Sequence, residues 1–386
     1  MVSAGSIPVF GIGDLYPVKT GGQKATYHLF GALNQLRPCR YVFLEPGATG
    51  IDEGTYPNGL RYQRIGGRAA KSWRNALIAP KLLYGDGPTR NLLRTARTRS
   101  IVDALAAFAV ASPTVIFATP WIWPVLAPRI PATQQVVYDS HNFELQLLRE
   151  RLAAGTLDAR SLQAMCEAER SLSRRADVLL ACSPIDAEAY VTEFGVDPKR
   201  LHLGFKGASV PAQPMLREAV EPPVATFVGS DWPANNEAAL AVATRIAPRL
   251  PQVRFRLIGS CCLRLPKQLP PNVEALGFVD DLEAQLRRTT VALNPITSGS
   301  GINMKLLEYL TLGIPVVSTV FGARGLPPEA MAALEIATID DFPAAIEGLL
   351  QSPERLQQQG REGHGYARRH LDWPLLGARL SALLAG

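Results

Sequence analysis

Short apolar runs alternate with segments of helical periodicity along most of the chain. Several of these runs are apolar over their whole length, as strands buried in a parallel sheet are. The helical patterns between them indicate β-α-β units, and the pattern therefore predicts an α/β fold with two Rossmann-like, doubly wound domains that face each other across a cleft. The predicted strands are IPVFGI (7–12), RYVFLE (40–45), TVIFAT (114–119), QVVYDS (135–140), DVLLACS (177–183), VATFVGS (224–230), VRFRLIG (253–259), TVALNPI (290–296) and PVVST (315–319).

A segment rich in proline and alanine, GASVPAQPMLREAVEPP, interrupts this alternation at residues 207–223. Such a composition is typical of a linker between domains. We therefore expect an N-terminal domain at residues 1–206, a linker at residues 207–223 and a C-terminal domain at residues 224–370. Residues 371–386 have helical periodicity and are expected to pack back on the N-terminal domain.

The composition is that of an ordinary globular protein, with 47% hydrophobic and 19% charged residues. There are five cysteines and no C-x-x-C pair, which argues against a disulfide framework or a zinc site and favours a reducing compartment. The first residues lack a basic start and a long apolar run, so no signal peptide is expected. An uncharged run at residues 104–128 is cut by three prolines and predicts a helix end and a strand rather than a membrane span. Together these features predict a cytoplasmic protein.

Basic residues are concentrated in the segment 61–99, which holds ten of them against one acid, Asp86. One interpretation is a solvated surface. Another is a patch for an anionic membrane or a phosphorylated acceptor, which would give the protein a peripheral position on the inner face of the membrane. Nucleic acid is a third interpretation, but no aromatic-rich binding motif supports it, and no nucleic-acid partner is expected.

The stretch SGSGINMKLLEYLTLGIPVVST, residues 298–319, predicts a Gly/Ser loop that leads from a strand into a helix. In an open parallel sheet, ligands bind outside the carboxyl ends of the strands, and the free N–H groups of a helix start attract anions. Lys305 adds a positive charge, and Glu308 one turn later could accept hydrogen bonds from two ribose hydroxyls. On spacing alone, an ordinary surface pair is an equal alternative.

Several motifs in chain order resemble those of the GT-B glycosyltransferases, specifically the retaining family 4, also called group 1. The resemblance extends over most of the chain. Besides the stretch 298–319, the motifs that carry it are Thr20-Gly21-Gly22, Asp139-Ser140-His141-Asn142, Cys182-Ser183-Pro184, Phe227-Val228-Gly229-Ser230 and Gly277-Phe278-Val279-Asp280-Asp281.

The resemblance implies transfer of a sugar, with retention, from a nucleotide-sugar donor to a saccharide or lipid-linked saccharide acceptor, as in polysaccharide biosynthesis. It also implies that the domain at residues 1–206 binds the acceptor and that the domain at residues 224–370 binds the donor. It places the catalytic residues at His141, which would contact the donor sugar or stabilise developing charge, and at Asp139, which would act directly or support His141. There is no D-x-D in the chain, so no metal is expected, and the nucleotide-sugar is a substrate rather than a cofactor. The implied donor-binding residues are Gly21, Gly22, Gly229, Ser230, Gly277, Phe278, Val279, Ser300, Gly301, Ile302, Asn303, Lys305 and Glu308.

Two departures from the family pattern affect the donor site. Many members carry a glutamate where this chain has Ser300, and many carry a basic pair after the strand that ends at Gly229, where this chain has none. Lys305, helped by Lys24, would then supply the main charge on the diphosphate, and a single displacement on one face of the sugar is expected. Two alternatives to a transferase remain: a nucleotide-sugar epimerase or hydrolase, and a catalytically silent nucleotide-sugar-binding shell.

Overall fold

The computed structural model describes residues 5–18, 20–46, 50–67, 99–153, 155–215, 221–299 and 301–385. The chain forms two compact units, one comprising Met1–Phe205 with Pro374–Gly386 and the other Lys206–Trp373. Most of the basic segment 61–99 lies outside the described residues, and so does Ser300.

The sheet of the first unit has the strand order β3-β4-β2-β1-β5-β6-β7-β8 in the described residues, and only the β3–β4 pair is antiparallel. The strands are β1 Ile7–Ile12, β2 Cys39–Pro46, β3 Ile51–Thr55, β4 Arg61–Gly67, β5 Thr114–Phe117, β6 Gln135–Asp139, β7 Val178–Leu180 and β8 Leu201–His202. The helices are α1 Gly21–Asn34, α2 Arg99–Ala109, α3 Trp123–Leu126, α4 Glu144–Ala153, α5 Ala159–Arg175 and α6 Pro184–Phe194, with short 3-10 turns at Ala127–Arg129 and Pro198–Arg200.

The sheet of the second unit is parallel throughout its described strands, in the order β11-β10-β9-β12-β13-β14. The strand order reverses between β9 and β12, and such a switch point is where open α/β sheets bind ligands. The strands are β9 Val224–Val228, β10 Arg254–Ile258, β11 Val273–Gly277, β12 Val291–Asn294, β13 Val316–Ser318 and β14 Glu335–Ile336. The helices are α7 Pro233–Ala241, α8 Leu282–Arg287, α9 Met304–Leu312, α10 Pro328–Met331, α11 Phe342–Leu350 and α12 Pro353–His370, with 3-10 turns at Ala247–Arg249 and Ser260–Arg264 and a π-helical turn at Val242–Ile246. The last helix of the chain, α13 Trp373–Leu383, belongs from Pro374 onward to the first unit.

The predicted α/β fold with parallel sheets is confirmed, and each of the nine predicted strands coincides with an observed one. Those strands are buried between helices, so a continuous apolar run identifies them. Five further strands were not predicted, because they are short or carry mainly polar side chains. They are β3, β4, β8, β11 and β14.

The two ends of the second unit contact each other, and the C-terminal helix contacts the first unit. Ala208 forms a bridge with Asp372, so the start of the segment 207–223 pairs with the end of its own unit. In the first unit, Arg37 Nε donates a hydrogen bond to Ser381 Oγ at 3.2 Å, which attaches α13 beside α1. None of the helices in the described residues is long and apolar enough to cross a membrane.

Candidate functional site

The carboxyl ends of three neighbouring strands in the second unit are level with one another. Gly229 N, after β9, donates to the carbonyl oxygen of Ile258 at 2.9 Å, and Gly259 N, after β10, donates to that of Gly277 at 2.6 Å. Phe278 follows Gly277 and is 87% exposed, and Val279 after it is half-buried. The predicted residues at the ends of β9 and β11 therefore lie along one edge of the sheet, with an exposed aromatic ring at the β11 end.

The glycine-rich loop after β12 enters α9 at this same edge. Gly299 and Gly301 have positive φ values of 103° and 67°, in the region that glycine adopts without the steric cost of a Cβ. Asn303 is the N-cap residue of α9, but its side chain makes no capping hydrogen bond and instead donates from Nδ2 to the carbonyl oxygen of Gly322 at 2.7 Å. The start of α9 therefore keeps N–H groups that no cap side chain accepts from, which is typical of an anion-binding helix start.

Lys305 is the second residue of α9 and its side chain is directed at the switch point. Its Nζ donates to Asn235 Oδ1 at 2.5 Å and lies 4.3 Å from the ring centroid of Phe227. Burial lowers the pKa of Lys305 to about 7, although the nearby Cys261 and Glu308 favour its charged form. Such an ammonium gains from any anion that approaches it, because burial has removed much of its hydration.

The loop after β9 contains Asp231, which forms an ion pair with a neighbouring arginine. Arg264, from the 3-10 turn after β10, pairs with Asp231 through two hydrogen bonds, with Nη2 3.1 Å from Oδ2. The guanidinium holds the pKa of Asp231 below its ordinary value. Ser230 accepts a hydrogen bond at its carbonyl oxygen from Asn235 Nδ2 at 3.2 Å, so Asn235 connects this loop to Lys305.

In the first unit, His141 lies two residues beyond the end of β6. Its Nε2 is 3.1 Å from Thr26 Oγ1 and 3.7 Å from Asp139 Oδ2; Asp139 is fully buried, whereas the imidazole is 18% exposed. A Cβ on Gly22 would lie 3.1 Å from His141 Nδ1, so any larger residue there would crowd the ring. Gly21 is the first residue of α1, and the structure thus brings the glycine pair, His141 and Asp139 together.

A buried polar network supports the segment that carries His141. Ser140 Oγ lies 2.8 Å from the hydroxyl of Tyr190, which donates to Glu169 Oε1 at 2.9 Å. The same carboxyl group accepts hydrogen bonds from the backbone N–H groups of Glu144 at 2.8 Å and Leu145 at 3.0 Å. Burial, assisted by the Glu144 carboxylate, raises the pKa of Glu169 to about 8. This network holds the chain on both sides of His141.

The sequence alone did not identify Thr26, Glu169, Asn235 or Arg324, a residue of the loop that follows β13, as residues that contact the predicted motifs. Each lies on a different element from the motif that it contacts, and the sequence carries no local signal for those contacts. In the described residues, no group of three or more histidine, cysteine, aspartate or glutamate side chains is arranged so that it could hold a metal ion.

Residues 222–352 match the family model described as glycosyl transferases group 1. Among curated proteins, the chain is 24% identical over 238 residues to the MMP α-(1→4)-mannosyltransferase of Mycolicibacterium hassiacum; the match covers 56% of this chain and 56% of that protein, so it spans about half of the relative's length.

Solved structures that match nearly the whole chain include the following two. Sucrose-phosphate synthase (tll1590) from Thermosynechococcus elongatus has a TM-score of 0.73 and 16% identity, with 98% of each chain covered. Anabaena Alr3699/HepE, solved in complex with UDP and glucose, has a TM-score of 0.67 and 14% identity, with 99% of this chain and all of that chain covered. The chain therefore has the GT-B fold of these glycosyltransferase neighbours, and its residues 222–352 are similar to the group 1 glycosyl transferases.

Proposed function

We propose that the protein is a retaining glycosyltransferase of family 4 that moves a sugar from a nucleotide-sugar to a saccharide or lipid-linked saccharide acceptor, without a metal or other cofactor. The observation that carries this proposal is the buried ammonium of Lys305 at the start of α9, beside a glycine-rich loop at the switch point of the second sheet. A nucleoside diphosphate is the ligand that this arrangement fits best, since it combines an anion with a flat base and a ribose.

In this proposal each predicted residue has a role in donor binding or catalysis. Lys305 and the first N–H groups of α9 bind the diphosphate, and Glu308, one turn along the same helix, binds the ribose. The exposed ring of Phe278, with the backbone of Gly277 and Val279, lies against the base. The remaining donor-binding residues would contact the phosphates and the sugar. They are Gly21, Gly22, Gly229, Ser230, Gly301, Ile302 and Asn303, together with Ser300, which lies outside the described residues.

The proposed chemistry is a single displacement on one face of the sugar. The bond between the anomeric carbon and the phosphate oxygen breaks, the acceptor oxygen bonds to that carbon, and the acceptor proton passes to the departing diphosphate. Negative charge grows on the diphosphate, where preorganised N–H groups and Lys305 stabilise it. His141, steadied by Asp139, Thr26 and the Glu169 network, would contact the sugar as positive charge develops on it.

A thermal-shift panel tests the donor site first. UDP, GDP, ADP, dTDP and their common sugars would be added to the wild type, to Lys305→Ala and to Arg287→Ala. Arg287 is an exposed residue of the second unit that pairs with Glu283 of its own helix, so its variant controls for loss of a surface cation. We expect one nucleotide to raise the melting temperature of the wild type and the control by mass action, but not that of Lys305→Ala. If no nucleotide shifts the wild type, the stretch 298–319 has no nucleotide ligand and the proposal is contradicted; a shift without any turnover of the donor would favour the silent shell.

Turnover then separates the enzyme classes. Release of the nucleoside diphosphate that requires a saccharide acceptor would support a transferase, whereas release without an acceptor would favour a hydrolase, and conversion of the donor sugar with the nucleotide still attached would favour an epimerase. The anomeric configuration of a purified product, read by NMR, tests retention.

The proposed location is the cytoplasm, with peripheral binding to the inner face of the membrane through the basic segment 61–99. The charge of this segment, ten bases against one acid, supports the proposal because anionic lipid attracts such clusters. Co-sedimentation with anionic vesicles at low salt tests it: binding that salt abolishes is expected, and no binding would exclude the membrane role.

A further inference from the structure

Arg324 lies on the loop that follows β13, beside the glycine-rich loop that follows β12. Its Nη1 donates to the carbonyl oxygen of Phe321 at 3.0 Å, and its guanidinium carbon lies 4.1 Å from the centroid of the Phe321 ring. Its Nη2 lies 3.8 Å from the position that a Cβ on Gly299 would occupy. One edge of the guanidinium is thus held by its own loop while Nη2 is directed toward Gly299.

The loop that carries Arg324 is firmly attached to the glycine-rich loop. Gly322 N donates to Thr319 Oγ1 at 2.7 Å, and the carbonyl oxygen of Gly322 accepts from Asn303 Nδ2 at 2.7 Å. A Cβ on Gly322 would lie 2.7 Å from the carbonyl oxygen of Asn294, so the two loops are packed at backbone distance. These contacts fix the backbone of the loop and therefore hold Arg324 beside Gly299.

The glycine-rich loop also packs against the helix that holds the ammonium of Lys305. Gly299 also approaches the first turn of α7, where a Cβ on it would lie 3.5 Å from Ala234 Cβ. The next residue of that turn, Asn235, holds the ammonium of Lys305. Arg264, at the neighbouring strand end, is already neutralised by Asp231. Arg324 therefore approaches the glycine-rich loop directly, and Lys305 is held by the turn of α7 that packs against the same loop.

We propose that Arg324 binds an anionic group of the nucleotide-sugar at the glycine-rich loop, either its diphosphate or a carboxylate on the transferred sugar. The inference rests on the proposed function, and it assigns a ligand-binding residue that the motifs of this chain do not contain. Arginine suits either group, since its planar guanidinium can donate two parallel hydrogen bonds to phosphate or carboxylate oxygens. The stack on Phe321 reduces the rotamer freedom that would be lost on binding.

Calorimetric titration of Arg324→Gln, Arg324→Lys and Arg287→Gln against wild type tests this role. The probes are UDP, UDP-glucose and UDP-glucuronic acid, with GDP and GDP-mannose added for a guanine-specific site. Loss of a charge-assisted hydrogen bond predicts about tenfold or greater weakening in Arg324→Gln, with partial recovery in Arg324→Lys. Arg287→Gln, a matched change at an exposed ion pair, should bind as the wild type does. Equal melting temperatures of the unliganded variants would show that folding is intact.

The probes distinguish the two sources of negative charge. If Arg324 binds the diphosphate, Arg324→Gln loses affinity for the nucleoside diphosphate and for all its sugars alike. If it binds a sugar carboxylate, the loss is confined to UDP-glucuronic acid. Unchanged affinity of Arg324→Gln for every probe that the wild type binds would overturn this inference and leave the proposed function standing. A wild type that binds none of these probes, and neither ADP, dTDP nor their sugars, would overturn both.

Discussion

The two units present opposite chemistry at the carboxyl ends of their strands. In the first unit, a fully buried acid, Asp139, lies 3.7 Å from His141, which is packed against Gly22 and Thr26. In the second unit, two cations, Lys305 and Arg324, lie near a loop that contains glycines with positive φ. The first site is held by side-chain packing and a hydrogen-bond network, whereas the second combines positive charge with a helix start that no cap side chain satisfies.

This difference indicates what each unit contributes in the proposed transferase. A site rich in N–H donors and cations binds an anion tightly, and it does so in the ground state as well as in the transition state. A positioned imidazole contributes little to binding and more to the barrier. Changes in the second unit should therefore alter donor affinity, and changes in the first unit should alter turnover.

The largest effect is expected for His141→Ala. Removal of one preorganised group that stabilises developing charge costs about 10²–10³-fold in kcat. The donor affinity should stay within about twofold of the wild type, because the nucleotide is bound by the second unit in the proposal. The matched control is His370→Ala, which removes the last residue of α12, a histidine that lies beside Glu329. A large rise in donor Kd without loss of kcat in His141→Ala would contradict the division between the units.

The next effect is expected for Lys305→Met, in donor affinity. Loss of its charge-assisted contacts to a diphosphate should weaken binding about 10–100-fold. Because burial disfavours the ammonium, methionine should also raise the melting temperature, by about 2–4 °C, the shift that about 1 kcal/mol produces in a domain of this size. Lys267→Met, at an exposed lysine of the same unit, is the control. Unchanged nucleotide affinity in Lys305→Met would remove the main support for the proposed function.

A smaller effect, about tenfold in kcat, is expected for Glu169→Gln. In the wild type, the backbone N–H groups of Glu144 and Leu145 each donate to one carboxyl oxygen of Glu169. Glutamine replaces one of these oxygens by an N–H₂ group, which cannot accept. One of the two backbone N–H groups therefore loses its acceptor, at a cost of about 1–3 kcal/mol. The segment around His141 then loses its support while donor affinity is unchanged. Glu167→Gln, at an exposed ion pair with Arg170 on the same helix, is the control.

Stability against pH gives a second measurement for Glu169. Its raised pKa, about 8, means that the folded state keeps this proton at a pH where the unfolded chain, with an ordinary carboxyl pKa of about 4.3, has released it. The Glu169 contribution to the unfolding free energy therefore decreases as pH rises between these values and is constant above about pH 8. Urea unfolding of Glu169→Gln should show a smaller decrease over this range, and an identical slope would contradict the assignment.

The sequence predicted most of the parallel strands, because a strand covered on both faces is apolar throughout. β1 was predicted at its observed bounds, Ile7–Ile12. β3 and β4 were missed because they form an antiparallel hairpin of mainly polar residues. The side chains of β3 are mostly exposed, and β4 buries Gln63 and Ile65 between partly exposed residues, so neither strand is a continuous apolar run. Part of β4 had been interpreted as the start of a basic patch. Periodicity does not distinguish such strands from surface loops.

The sequence could nominate candidate site residues where one short motif contains them, but not where the fold brings distant residues together. The start of α9 could be inferred from a short stretch, since loop and helix are adjacent in sequence. The contact of Lys305 with Asn235 joins residues 70 positions apart, and that of His141 with Thr26 joins residues 115 apart. The position of Arg324 beside Gly299 depends on the packing of two loops, which no local pattern encodes.

The smallest predicted effect is a pH dependence of donor binding that belongs to Lys305 alone. Only its charged form attracts a diphosphate, and burial lowers its pKa in the free protein to about 7, so the charged fraction falls from about one half at pH 7 to about one tenth at pH 8. Affinity for a nucleotide-sugar, whose phosphates do not titrate in this range, should thus fall about fivefold over that unit and level off below pH 6. Hydrogen bonding from Cys261 lowers the pKa of the Cys262 thiol to about 7 as well, so Cys262→Ser is needed as a control and should keep the pH dependence. Calorimetry on Lys305→Met should find weak binding that hardly changes with pH; if the fivefold fall persists in that variant, another group titrates at the site and the charge of Lys305 does not control donor affinity.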